Sequence, residues 1–265
     1  MQIYNSIKKI GKYFLTEISA LTINFSLFKV KSSVLLPHLN KKIISFSLFG
    51  SDKKYFANID SCIKSYQIWF PEWIFRVYVS DDLPNEVLKK FEHQNCELII
   101  MTGRQTDFRY TFWRFLALDD KTVSCVLIRD IDSIASEREK IMVDQWLNSN
   151  QTLHIIRDHP DHSDLIMGGM FDRHFDPFFN VKKAMLKFKK LNILGIDQQF
   201  LKLIYEHYFP NILVHDIFKR YDEEEPIIIP HKDKNSFIGE ININHQHKQR
   251  DLSVLQRFYN ANEKT

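Results

Sequence analysis

Four unbroken apolar runs, each followed by a helix-like stretch, constrain this chain more than any other feature. They cover residues 42–49 (KIISFSLF), 74–79, 97–101 and 123–128. A strand with one wet face alternates polar and apolar residues, whereas a strand covered on both faces reads as a continuous run. The runs therefore predict parallel strands within a doubly wound α/β sheet. Helices are expected between them: Ser51-Asp52 caps one through Tyr66, residues 84–92 form another, and residues 106–118 form an aromatic third. Ligands of such sheets bind beyond the carboxyl ends of the strands. Three of those ends carry glycine or polar residues: Gly50-Ser51-Asp52, Ser80-Asp81-Asp82 and Asp130-Ile131-Asp132.

The last of these carries the most chemistry. Along a strand, residues i and i+2 point the same way, so Asp130 and Asp132 can face one ion. Hard oxygen ligands suit Mn²⁺ or Mg²⁺, ions that also bind substrate phosphates. The bland alternative is a solvated turn or a helix cap. The address of the pair, after a wholly apolar strand and before the capping box Ser136-Glu137-Arg138-Glu139, favours a metal–diphosphate site.

Composition excludes several classes. The chain has 265 residues and a net charge of +3. Residues 1–40 carry five lysines and one glutamate, which leaves the body, residues 41–265, near neutral. A nucleic-acid binder would need a basic stripe along the fold. Cys62, Cys96 and Cys125 form no CxxC and read as core residues in a reducing cytoplasm. No run of 18 apolar residues spans a membrane. Residues 1–40 form a basic, amphipathic N-terminal extension, of which residues 1–36 are the candidate membrane-contact segment. Their open readings are a helix on the inner face of an anionic membrane, a helix packed on the domain, and a mobile arm.

The second half of the chain is less regular. A basic amphipathic helix is expected over residues 182–190, another helix over 197–208, and a strand over 211–214 ending at His215. Residues 157–164 (RDHPDHSD) hold metal-ligating side-chain types, but Pro160 and the spacing favour an acceptor- or donor-binding loop over a second metal centre, the bland alternative being an ordered polar loop beside the donor site. Arg114 is open between a solvated or ion-paired arginine and a planar donor that reaches the acidic pair or a phosphate. Alternation along the fourth strand turns Arg129 away from Asp130, as a local counter-ion.

A wider series of motifs adds a resemblance. It comprises Ile44–Gly50 (ISFSLFG), Phe112-Trp113-Arg114-Phe115, Arg129-Asp130-Ile131-Asp132-Ser133, Arg138-Glu139, Trp146-Leu147, Arg157-Asp158-His159-Pro160, Gly168-Gly169-Met170, Asp197-Gln198-Gln199-Phe200-Leu201 and Phe237-Ile238-Gly239. Across residues 42–240 this series resembles GT-A-fold glycosyltransferases, and in particular uncharacterised bacterial glycosyltransferase-like proteins of surface polysaccharide synthesis. The resemblance implies a nucleotide-sugar donor, with UDP as the expected nucleotide, and a saccharide or lipid-linked acceptor. It implies Asp130 and Asp132 as metal ligands, with His215 as the candidate third. It places Phe49 and Gly50 at the nucleotide, with Asp81 or Asp82 accepting from base or ribose, and Gly168 and Gly169 at the donor sugar; Arg114 joins the donor site where it reaches a phosphate. Asp197-Gln198 is similar to the Asp-Gln pair that touches sugars in retaining enzymes. An inverting reaction would need a carboxylate base, with Asp197 the first candidate and Asp158 the second. The chain departs from the family in lacking a late His-x-x-Gly-x-x-Lys stretch.

Two other readings are carried beside this one. A metal-dependent nucleotidyltransferase or hydrolase often has a glycine-rich phosphate loop after the first strand, and residues 49–52 contain one glycine. The other is a non-catalytic scaffold with a transferase-like fold, held at a membrane by residues 1–36.

Overall fold

The computed structural model of the chain describes residues 26–93, 95–103, 107–188, 191–231, 234–241 and 245–262. At its centre lie β2 (Lys41–Leu48), β3 (Ile74–Ser80), β4 (Cys96–Met101) and β5 (Val123–Arg129). All four are parallel, β2 pairing with β3 and β5, and β3 with β4. Each begins and ends within one residue of its apolar run. The runs are continuous because both faces are covered. Ile43, Val126 and Ile128 enter one core cluster, and their neighbours Ile44, Phe46 and Leu127 enter the other.

The sheet extends to nine strands, in the order β1-β4-β3-β2-β5-β7-β6-β8-β9. The added strands are β1 (Val30–Val34), β6 (Leu153–Arg157), β7 (Met170–His174), β8 (Ile212–Asp216) and β9 (Ile227–Ile228). The result is the mixed, mostly parallel α/β sheet flanked by helices that the GT-A-like reading expects. β7 runs antiparallel between β5 and β6. The apolar-run criterion does not find β7, because its sequence MFDRH buries Asp172 and Arg173. β1 lies inside the stretch read as an N-terminal extension and pairs antiparallel with β4 as an edge of the sheet. Residues 1–25, which carry most of the expected membrane-contact segment, lie outside the described residues.

The helices are α1 (Lys54–Ala57), α2 (Ile59–Trp69), α3 (Asn85–Leu88), α4 (Glu137–Leu147), α5 (Val181–Lys187), α6 (Ile196–Tyr208) and α7 (His245–Asn262). Among the described residues none is long and apolar enough to cross a membrane. Half of the expected capping box forms. Ser136 accepts from the Glu139 amide at 3.3 Å, but the Glu139 carboxylate turns inward to Arg129.

The expected aromatic helix is a 3-10 segment, Phe108–Asp119, capped by Asp107. This difference matters for the site. In a 3-10 turn, side chains at i and i+3 eclipse. One row, Phe112, Phe115 and Leu118, enters the core. The next row, Phe108, Thr111 and Arg114, lines a cleft.

Candidate functional site

The cleft lies where the carboxyl ends of β2 and β5 meet the start of β7 and the amino end of α6, with a volume of about 780 Å³. That is the size range of small-molecule sites. Its walls include Phe49, Gly50, Asp130, Asp132, Asp197 and Gln198, with Gly168 and Gly169 beside them. Eight of the residues expected at the donor, the metal or the catalytic base therefore share one wall system with Arg114. Gly50 closes β2 with φ of 81°, in the left-handed region that favours glycine.

Arg114 organises the acidic wall. It is buried, and its Nη1 donates to Asp130 Oδ1. Its Nη2 donates to Asp197 Oδ2 at 2.8 Å. A guanidinium is a planar fork, so one side chain can hold two carboxylates at fixed separation. Burial alone would lower the Arg114 pKa, but the Asp130 and Asp197 charges outweigh it and raise the value. Strand β2 holds the arginine's backbone. Ser45 Oγ donates to the Arg114 carbonyl at 2.7 Å, and the Arg114 amide donates to Ser47 Oγ at 2.9 Å. Ser45 and Ser47 are a pair that the sequence reading passed over. The signal was there: two serines at i and i+2 in an otherwise apolar buried strand need partners on one face. Arg114 is thus an ion-paired arginine that reaches the acidic pair. A 3.6-residue period turns it away from the aromatic stripe, whereas the 3-10 period points it at the cleft.

The two glycines pack on the same carboxylates. A Cβ at Gly168 would lie 2.5 Å from Asp197 Oδ2 and 3.0 Å from Arg114 Nη2. A Cβ at Gly169 would overlap Asp130 Oδ2 and lie 3.1 Å from the Asp130 amide. Pairing of β7 with β5, Met170 opposite Arg129, brings them there. Any larger residue would displace the carboxylates.

Asp130 and Asp132 follow β5 on a turn closed by the Ser133 amide on the Asp130 carbonyl, at 3.2 Å. The Asp130 side chain is 52% exposed, while Asp132 is buried at the cleft wall. Two hard carboxylates beside an open cleft fit a cation that takes its remaining ligands from substrate phosphates and water. Among the described residues, no group of three or more His, Cys, Asp and Glu side chains is arranged to hold an ion.

The structure does not bring His215, Asp158 or Asp81 to the cleft. His215 is fully buried in β8. Its Nδ1 meets His154 Nε2 at 2.8 Å, and its Nε2 meets the Gln145 side-chain amide at 2.7 Å. Both ring nitrogens are engaged, which removes the lone pair a metal requires. Burial and the neighbouring His154 hold its pKa down at about 3. Asp158 is clasped by Arg138 Nη2 at 2.7 Å and Nε at 2.9 Å, by His231 Nε2 at 3.0 Å, and by the Ile238 amide at 2.9 Å. Burial pushes its carboxyl up, but His231 and Arg138 together hold it below the usual range. It anchors the segment carrying Phe237. Asp81 pairs with Lys31 of β1 at 3.1 Å and accepts from the Gly103 amide at 3.1 Å.

The loop 157–164 does line the cleft, through His159, Asp161 and His162. Its rings are set by backbone groups. His159 Nδ1 accepts from the Asp161 amide and His162 Nδ1 from the Asp158 amide, both at 3.1 Å. His159 Nε2 then donates to the Asp251 carbonyl at 2.9 Å. Burial first, and His159 second, lower the His162 pKa to about 3, so each neutral His162 ring carries its hydrogen on Nε2. It offers a donor and no metal-binding lone pair. The stretch is thus an ordered polar loop at the cleft wall.

No protein-family model matches the sequence, and no curated protein matches it either. Among solved structures, the chain is similar to 4-diphosphocytidyl-2C-methyl-D-erythritol synthase from Anaerococcus prevotii, at 11% identity and a TM-score of 0.48. That match covers 82% of this chain and 100% of the other. It is also similar to the galactosyltransferase LgtC in complex with donor and acceptor sugar analogues, at 13% identity and a TM-score of 0.45, over 66% of this chain and 73% of the other. A third is the mannosyltransferase PcManGT from Pyrobaculum calidifontis in complex with GDP-Man and Mn²⁺, at 12% identity and a TM-score of 0.44, over 81% and 68%. At these scores no residue's role passes from one chain to another.

Proposed function

We propose that the chain is a metal-dependent glycosyltransferase that moves a sugar from a nucleotide sugar, a UDP-sugar first among the donors, to a saccharide or lipid-linked acceptor. One observation carries the reading. A single buried guanidinium, Arg114, joins Asp130 at the end of β5 to Asp197 at the start of α6. That places a carboxylate suited to a metal-bound diphosphate and one suited to sugar hydroxyls on opposite sides of one fork.

Asp130 and Asp132 would hold Mn²⁺ or Mg²⁺, which when bound offsets charge on the leaving diphosphate. Phe49 and Gly50 form the floor where a nucleoside would lie. Asp197 accepts from sugar hydroxyls, its orientation fixed by Arg114 and by the Gln198 amide at 3.0 Å. Arg114 keeps Asp130 and Asp197 at fixed spacing, so the charges are arranged before substrate arrives, and such preorganisation is the main electrostatic task in a transfer of this kind. His162 Nε2–H supplies a neutral donor at the opposite wall.

A thermal-shift panel of UDP- and GDP-sugars with and without Mn²⁺ tests this reading. A ligand at 100 times its Kd stabilises by about 2.7 kcal/mol, a rise of roughly 5–10 °C for a chain of this size. One nucleotide sugar should raise Tm in this way only with metal present. Stabilisation by a nucleoside triphosphate in place of every nucleotide sugar would favour nucleotidyl transfer. No response to any of them would favour a scaffold.

A further inference from the structure

The stretch after β7 takes no part in the proposed transfer. Residues 177–196 contain five lysines and no aspartate or glutamate. Helix α5 turns Val181 and Met185 into the core and leaves Lys182, Lys183 and Lys187 exposed. Among the described residues none of these three lysines is in an ion pair. The same stretch holds out large apolar side chains. Phe178 is 94% exposed and Leu194 80%, with Leu191 at 50%. Large apolar side chains held in solvent beside charged ones mark an interaction site. This one is fixed to the mouth of the cleft. Asn192 Oδ1 accepts from the Phe108 amide at 2.8 Å, and both Leu194 and Phe108 line the cleft.

We propose that residues 177–188 and 191–196 dock on an anionic lipid bilayer and seat the mouth of the cleft at the membrane surface. Lysines beside exposed aromatic and aliphatic side chains match the two layers of such a surface, charged headgroups above and acyl chains below. A nucleic acid would satisfy the lysines but leave Phe178, Leu191 and Leu194 without a role. This stretch is distinct in sequence from residues 1–36, and its docking would rest on charge and apolarity, not on sugar transfer.

The full chain should be sedimented with vesicles of phosphatidylglycerol and phosphatidylcholine, and with phosphatidylcholine alone. Binding to the anionic vesicles should be tighter by at least about tenfold. The variant Lys182→Glu/Lys183→Glu/Lys187→Glu should lose at least about tenfold of that binding, and Leu191→Ser/Leu194→Ser at least about threefold. Wild-type binding by the charge-reversed variant would overturn the proposal, as would absence of binding by the wild type. Loss in the lysine variant with none in the leucine variant would also overturn it, since that pattern is plain polyanion attraction. An environment-sensitive dye on Leu191→Cys keeps the question decidable if a variant misfolds, because the native cysteines are all buried. A blue shift with anionic vesicles is expected, and no shift contradicts the docking.

Discussion

Asp130, just past the end of β5, and Asp172, on the neighbouring β7, are each bonded to a buried arginine, yet they have opposite surroundings. Asp172 is wholly enclosed and receives Arg129 Nη1 at 2.6 Å and His154 Nδ1 at 2.6 Å. The chain of bonds continues from Arg129 to Glu139 at 2.6 Å and from His154 to His215 and Gln145. Trp146 stacks on the His154 ring with centroids 5.7 Å apart. Asp130 shares Arg114 with Asp197 and keeps half its side chain open to the cleft. The same residue types thus serve as internal structure in one place and as a candidate site in the other. What separates them is bonding capacity left facing a cleft.

The largest effect should come from opening the closed network. Asp172→Ala leaves Arg129 buried without its main partner, and breaking a buried pair in this way costs about 3–5 kcal/mol. Urea unfolding should show that loss. Arg114→Met should instead leave stability nearer wild type while lowering transfer by about 10²–10³-fold, since preorganised donors at a reacting centre contribute on that scale. If Arg114→Met unfolds the protein and Asp172→Ala does not, the assignment of the two regions is reversed.

Gly169→Ala sharpens the contrast at one atom. Its methyl group overlaps the Asp130 carboxylate, and such overpacking costs about 1–3 kcal/mol. Nucleotide affinity should fall further than stability does, because the displaced group is the open carboxylate. Equal affinity in Gly169→Ala and wild type would show that the Asp130 side chain is not fixed by this contact.

Acid should find the closed histidines. His215 and His162 are held at about 3 in the folded chain, below the ordinary value near 6.5. Between those values the unfolded chain binds more protons, so stability rises with pH and is lost as pH falls through this window. Each such histidine contributes a slope of up to about 1.4 kcal/mol per pH unit. His162→Asn keeps an acceptor for the Asp158 amide and should flatten the slope between pH 4 and 6 by about that amount. An unchanged slope in unfolding measurements would mean that His162 protonates freely in the folded state.

The sheet was legible because doubly covered strands leave unbroken apolar runs, and β2 to β5 follow from them directly. β7 was not, because its charged residues are buried by partners on β5 and β6, and pairing across strands has no mark in the local sequence. The acidic turn at Asp130 and Asp132 was legible from its place after β5. Arg114 could not be placed by a 3.6-residue period, because the segment winds with a period near three. Nor could spacing alone separate His215 from a metal ligand. Its partners, His154 and Gln145, come from β6 and α4, far along the chain.

The proposed function depends most on Asp130 and Asp132 together holding a metal-bound nucleoside diphosphate. Titration calorimetry of UDP and of GDP in the presence of Mn²⁺, on the wild type, Asp130→Ala and Asp132→Ala, addresses this directly. The account predicts metal-dependent binding by the wild type to at least one of the two. It predicts a loss of at least about tenfold in each variant, or 1.4 kcal/mol, with unfolding midpoints that show both variants folded. Undiminished binding of that nucleotide in both folded variants would contradict it.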